Sequence, residues 1–362
     1  MPAPPPALIA ELATRPDDRE LLRVFADWLL DVGHPSGELM ALELATEPPP
    51  ELGARVAALI ATQLEPYLEQ RLARRHPTEY AWRAGLLDAI ALYHDGAPEP
   101  LAATLRELAA EPCARLLRRI EIRANELDGE GNLEPVIAEL ARLAPAFPRL
   151  TELAVREDCV PYRWIDTGVM PIRIGDVTPL YASYPLLELL ELGGKEYTLG
   201  ALELPALRRL ALHDFGPRDI ASLAVAPLPV LEDLELAFTY GLTIDRIDDV
   251  FRPLLDRTLP TLGRIAIVVQ LRQLMQFLVR AVPASNLARH LRVLAFRRYI
   301  LDDDSVGALV QWAPRLRALA RLEIEGSGLS TRQRRALEQA LGPVLAVIGG
   351  GPPGAPSPGG RR

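Results

Sequence analysis

Cysteine is nearly missing from this chain. Its 362 residues include only Cys113 and Cys159, too few for a disulfide framework or a four-thiolate zinc site. Lysine is scarcer still: of 40 basic residues, only Lys195 is lysine. Such one-sidedness fits a GC-rich coding preference, so the abundant arginine is not a nucleic-acid signal. Excess positive charge is lacking too, with a net charge of −8 and a pI near 5.4. An acidic surface without a basic patch repels a phosphate backbone, so no nucleic-acid partner is expected. Mean hydropathy is +0.08 and no uninterrupted apolar run approaches a membrane span. The opening MPAPPPALIAEL has no basic n-region or apolar core, so no secretory leader and no membrane association are expected. A reducing cytoplasm is the expected compartment.

Signatures of chemistry are missing as well. The chain holds no G-x-x-x-x-G-K-[ST], H-E-x-x-H, C-x-x-C or G-x-S-x-G. The stretch Asp128-Gly129-Glu130-Gly131-Asn132 lacks the third glycine of a dinucleotide loop, and its acids oppose phosphate. His34, His76, His94, His213 and His290 are scattered along the chain. Asp27, Asp31 and Glu38 lack the dense ligand spacing of a calcium loop. Asp27 is expected to hydrogen-bond the Gly33–Gly37 turn instead. No catalytic, cofactor-binding or metal-ligating residue is expected, and a non-enzymatic role follows.

Leucine, by contrast, is abundant, at 65 residues. It recurs as Leu-x-x-Leu-x-Leu. The fullest copy is Leu117-x-x-Ile120-x-Ile122-x-x-Asn125-x-Leu127. Further copies begin at Leu87, Leu150, Leu187, Leu207, Leu231, Leu262, Leu291 and Leu319. Their spacing leaves room for a strand plus a helix in most copies. In the two shortest, of 20 and 24 residues, there is room only for a strand plus turns or one 3₁₀ segment. The aliphatic positions should point inward from a short strand and the intervening ones outward. One such unit cannot bury its apolar side alone, whereas stacked units share a core and a parallel sheet. Helical stretches near Leu101–Ala110, Leu133–Leu143, Leu271–Val282 and Ser305–Trp312 should cover the other side. Pro148, Pro185, Pro205, Pro229, Pro260 and Pro314 sit before strands, where they cost no ladder hydrogen bond.

These triplets resemble the leucine-rich repeat superfamily, in its longer-period branch with helices. The resemblance implies an α/β solenoid with a curved parallel sheet, helices on the convex side, and a concave face that binds another macromolecule.

Residues 1–83 read differently, as a small helical N-terminal cap. Asp17 or Asp18 suits a helix N-cap. Leu21, Leu22, Phe25, Trp28 and Leu29 form one apolar stripe. Gly33 suits a left-handed stop, and Ser36 can cap a second helix over Leu39–Ala45. The run D-D-x-x-L-L-R-x-x-A-D-W-L followed by G-x-P-x-G-E-L resembles the repeat-companion domain at the N-terminus of some bacterial repeat proteins. That resemblance implies association with repeat arrays and no catalytic activity. The first repeat strand should join at Trp82-Arg83-Ala84-Gly85-Leu86-Leu87. The array then spans 84–329. A capping helix, opened by the Ser330–Gln333 box, spans 330–348, and a disordered tail spans 349–362.

Aligning the copies stacks residues of opposite sign: Asp88–Arg118, Arg119–Glu152, Glu188–Arg208–Glu232 and Arg209–Asp233–Arg264. Such pairs are either solvated cross-strand contacts or a recognition surface of mixed charge. The longest gap carries Tyr162, Arg163 and Trp164, residue types that dominate interface hot spots. Arg123, Arg156, His213 and Arg297 each follow the last aliphatic of a triplet, and Tyr240 and Tyr299 follow later strands. These nine are the candidate partner-binding residues. The expected role is a monomeric protein-binding scaffold needing no cofactor, with a protein partner. The alternative is an enzyme or effector active in the N-terminal module, with the repeats as its targeting surface.

Overall fold

A computed structural model of the chain describes residues 4–45, 51–72, 78–95, 98–125, 132–157, 172–238, 247–269, 271–297, 301–325 and 328–348. All nine aliphatic triplets lie on or lead into strands, and each of their apolar side chains except Leu319 is buried. The alternation sets this. In the strand Arg209–His213, Leu210 and Leu212 are buried while Arg209 is exposed and Ala211 and His213 are half-buried.

The residues pack as two compact units, drawn from Met1–Asp158 with Val169–Leu189 and from Leu190–Arg362 with Cys159–Gly168. Both are mixed α/β with mostly parallel strands. The first unit opens with helices α1 (Pro6–Thr14), α2 (Arg19–Asp31), α3 (Ser36–Glu43), α4 (Leu52–Leu59) and, after a π-helical turn at Ile60–Leu64, α5 (Glu65–Arg71). Strands β1 (Thr78–Arg83), β2 (Leu86–Asp95), β3 (Arg119–Asn125) and β4 (Glu152–Glu157) follow in chain order. Helices α6 (Pro98–Ala110) and α7 (Glu134–Arg142) join β2 to β3 and β3 to β4, and pack on each other. Short β5 (Arg173–Asp176) and α8 (Pro179–Ser183) complete the unit.

The second unit runs β6 (Leu189–Gly193), β7 (Lys195–Thr198), β8 (Arg209–His213), α9 (Pro217–Val225), β9 (Asp233–Phe238), α10 (Ile247–Leu255), β10 (Arg264–Val269) and α11 (Arg272–Ala284). It continues through β11 (Val293–Arg297), α12 (Asp303–Gln311), α13 (Ala313–Leu316), β12 (Arg321–Glu325), α14 (Thr331–Leu341) and β13 (Leu345–Ile348). From β8 to β13 each strand pairs in parallel with the next. Helices α9 to α12 stack in order, and α14 packs on α12. Each parallel pair therefore has its helix on one side, as such crossovers demand.

Several local expectations hold. The Asp18 carboxylate accepts from the Glu20 and Leu21 amides and caps α2. Gly33 is left-handed at φ 70°. Leu22, Phe25 and Leu29 enter the core, and Trp28 stacks on Phe25 at 5.6 Å as a packing anchor. Ser330 and Gln333 form the capping box of α14.

Others are corrected. Residues 78–83, read as helical, form β1 antiparallel to β2, because Thr78, Tyr80 and Trp82 alternate with Glu79, Ala81 and Arg83 in a two-residue period. The second helix starts at Ser36 itself, after Pro35, with no side-chain cap. Asp27 is exposed, and the turn it was expected to hold is closed by His34, whose Nδ1 accepts the Ser36 N–H at 3.1 Å. The last helix ends at Leu341 rather than near Ile348. Gly342 (φ 63°) and Pro343 stop it, and Leu345–Ile348 adds a parallel strand to β12. The tail 349–362 lies outside the described residues.

Where the helical segment meets the strands, Gly85 (φ 73°) turns the chain from β1 into β2. A Cβ there would sit 2.4 Å from Met40 Cγ and 2.8 Å from Met40 N. Only glycine permits both this backbone and this approach to α3.

Candidate functional site

The strand faces away from the helices carry ordered rows of polar side chains. In the first unit, parallel register aligns Ala89, Arg119 and Glu152, then Ala91, Glu121 and Ala154, then Tyr93, Arg123 and Arg156. In the second it aligns Arg209, Asp233, Arg264, Val293 and Arg321, then Ala211, Glu235, Ala266, Ala295 and Glu323, then His213, Ala237, Val268 and Arg297.

Glu121 is the centre of the first set. Its side chain is nearly buried, and it accepts from Arg119 at 2.9 Å, from Arg156 Nε at 2.9 Å, and from Arg123. A carboxylate at this depth requires such donors. The Arg123 guanidinium also lies 4.8 Å from the Tyr93 ring centre, and the Tyr93 hydroxyl donates to Glu79 at 2.5 Å. The stacked pairs read from the sequence are formed with one exception, Glu188, which makes no ion pair with Arg208. Asp88 takes Arg118 in two bonds of 2.6 and 2.7 Å. Arg119 meets Glu152 at 3.4 Å, Arg208 meets Glu232, and Asp233 meets Arg264 at 2.7 Å and Arg209 at 3.8 Å.

Glu235 organises the second set. His213 Nε2 lies 3.6 Å from it and Arg297 3.9 Å, and Arg297 also reaches Glu323 at 3.4 Å. The contact with His213 holds the Glu235 carboxyl below its ordinary range, against the opposing effect of burial. Buried Ala237, Ala266, Ala295 and Val268 lie among these charged groups as an apolar floor. The structure thus brings Arg123 and Arg156 together on Glu121, and His213 and Arg297 together on Glu235. Tyr162, Arg163, Trp164, Tyr240 and Tyr299 lie outside the described residues.

A second cluster escaped the sequence reading. His34, Glu111 and Cys113 are buried with their donor atoms within 4.8 Å of one another. Among the described residues this group has the composition for a metal. Its hydrogen bonding argues otherwise. Because His34 Nδ1 accepts the Ser36 amide, the neutral ring carries its proton on Nε2, the atom that faces Glu111 Oε2 at 3.7 Å. A ligating histidine needs that nitrogen unprotonated. The Glu111 oxygens are also taken, Oε1 by Arg71 Nε at 2.8 Å and Oε2 by the Tyr67 hydroxyl at 3.1 Å. Burial pushes the Glu111 carboxyl up, but the nearby His34 and the bonds from Arg71 and Tyr67 outweigh it and leave the group below its ordinary range. Burial raises the Cys113 thiol, so it stays protonated and inert. The cluster is a polar lock joining the α2–α3 turn, α5 and the short 3₁₀ turn Pro112–Ala114. No motif announces it, because His34 and Glu111 are far apart in sequence and each stands alone.

No family model and no curated protein matches the chain. Among solved structures, it is similar to a Bacteroides fragilis protein determined as a structural-genomics target. The two share 18% identity at a TM-score of 0.57, with 82% of this chain and 83% of that one covered. At this identity the likeness concerns the fold alone.

Proposed function

We propose that this chain is a leucine-rich-repeat protein of the helix-containing kind, preceded by a repeat-companion segment, and that it works as a monomeric, non-enzymatic scaffold holding a protein partner. The partner lies on the strand face, and Tyr162, Arg163, Trp164, Tyr240 and Tyr299, outside the described residues, are its further candidate contacts. One observation carries this reading. Successive parallel strands place long charged side chains side by side on the face that the helices leave open. Rows in fixed register are a rigid scaffold for contacts, which cuts the ordering cost of binding. Core packing does not require charge there, since the aliphatic residues on the other side of β2–β4 and β8–β12 are already buried. The enzymatic alternative has its best chemical group in His34, Glu111 and Cys113, which are closed to solvent, with both Glu111 oxygens already taken by Arg71 and Tyr67.

A photo-crosslinking residue placed at Ala211, on the strand face, or at Val225, exposed on the helical side, tests the reading in the native cell. One protein captured from Ala211, absent from Val225, and lost on His213→Ala or Arg297→Ala at unchanged thermal stability is the expected result. Capture from neither position, or equally from both, overturns it.

A further inference from the structure

Sign alternates along the sequence, but it becomes layered in three dimensions. On the open face of the first unit the Glu121 side chain is 5% exposed, while Arg119, Arg123 and Arg156 around it are 37%, 22% and 35% exposed. The second unit, taken by itself, shows the same contrast at two pairs, though not at Arg208 (51%) and Glu232 (54%). Glu323 is 13% exposed against 53% for Arg321, and Asp233 is 23% exposed against 64% for Arg209. Side-chain length is the cause. A carboxylate on a short stem settles near the backbone, here between Ala91 and Ala154. An arginine in the next register position has a longer stem and reaches over it, keeping its guanidinium toward water. Directly above Glu121 a solvent-side partner therefore meets guanidinium first and carboxylate second, with the more exposed Glu79 at the margin, although the protein as a whole carries −8.

We propose that the open face of β2–β4 binds an acidic, carboxylate-bearing segment of a partner protein, docked on the guanidinium layer of Arg119, Arg123 and Arg156. The inference rests on the protein-binding reading of this face and adds the chemistry of the partner. Planar guanidiniums match carboxylates in two-point contacts. Glu121 holds three of them in one place, and the Tyr93 ring supports Arg123. Discrete carboxylates fit better than a continuous phosphate chain. Glu79, 63% exposed, and Glu152 flank the layer and would oppose evenly spaced phosphates.

Fluorescence anisotropy on the full chain tests this with labelled peptides of alternating Glu and Ala, the matching Gln and Lys peptides, and a short single-stranded RNA. The Glu peptide should bind saturably, about tenfold or more tighter than the Gln peptide, and weaken with salt. Arg123→Glu or Arg156→Glu should lower its affinity about tenfold or more, while Arg123→Lys keeps part of it. Arg142→Glu, on helix α7, should leave it unchanged. Where a charge-reversal variant loses its circular dichroism signature, Arg119→Gln takes its place with the same expectation. Equal or tighter binding of the Gln or Lys peptide, or unchanged binding by the folded variants, overturns the acidic partner and leaves the scaffold reading standing. So does the absence of saturable Glu-peptide binding, since the crosslinking experiment judges that reading separately. RNA binding tighter than the Glu peptide overturns both.

Discussion

Arg71, in the last turn of α5, donates through Nε to Glu111 Oε1 at 2.8 Å across forty positions of sequence. The bond is half open to water at the arginine and closed at the carboxylate. It ties the N-terminal helices to the strand-bearing part of the same unit, with Tyr67 and His34 completing the shell around Glu111.

Replacing Glu111 by Gln should therefore be costly. The amide cannot satisfy Arg71 and Tyr67 as the carboxylate does, and it leaves buried donors short of an acceptor. Because Arg71 keeps access to water, the expected loss is about 2 kcal/mol rather than the larger cost of a wholly buried pair. Urea denaturation of the variant and the parent measures it.

The same group sets a pH dependence. Glu111 titrates lower in the folded protein than in the unfolded chain. Its contribution is thus fully present above its unfolded value of about 4.3 and is lost as pH falls through its lower folded value. Thermal midpoints of the parent should drop below about pH 5 more steeply than those of Glu111→Gln. Parallel curves would remove Glu111 from the acid response.

Zinc should not stabilise the protein. The proton on His34 Nε2 and the occupied oxygens of Glu111 leave no vacant donor set. Thermal midpoints with zinc, or after chelation, should match those of untreated protein. A concentration-dependent rise lost in Cys113→Ser would show that the cluster binds metal.

Two glycines separate backbone strain from collision. Gly33→Ala meets open space, so it carries only the left-handed penalty of about 1 kcal/mol. Gly85→Ala adds contact with Met40 at 2.4 Å, for a total of about 2–4 kcal/mol. Met40→Ala in the Gly85→Ala background should recover part of that difference, read as coupling in a double-mutant cycle.

Asp302 offers a test in the second unit. It caps α12 through the Ser305 amide and accepts from Gln276 at 2.6 Å and Arg272 at 2.9 Å. Those bonds overcome burial and hold its carboxyl at about 2. Asp302→Ala should cost about 1–2 kcal/mol. The parent's advantage over the variant should persist to about pH 4 and fade toward pH 2, since the folded value lies below the unfolded one.

Much of the fold was legible because aliphatic spacing is local information. A triplet with one polar residue between its second and third members describes one side of a strand wherever it occurs, and all nine strand locations follow from it. Position 78–83 was harder: six residues such as Thr-Glu-Tyr-Ala-Trp-Arg declare their period only beside a partner, here β2. The run Leu345–Ile348 continues an apolar pattern that suits a helix or a strand. Its outcome rests on Gly342, Pro343 and the waiting edge of β12.

The candidate site divides the same way. Sequence by itself determined the nine triplet strands and most of the charged pairs, because register follows from aligned triplets and Arg118 meets Asp88 once two strands lie side by side. Tertiary structure alone decided depth. Burial depends on what stands above a residue, and no linear spacing tells that Glu121 would sink beneath three guanidiniums or that His34 and Glu111 would share one sealed pocket of hydrogen bonds.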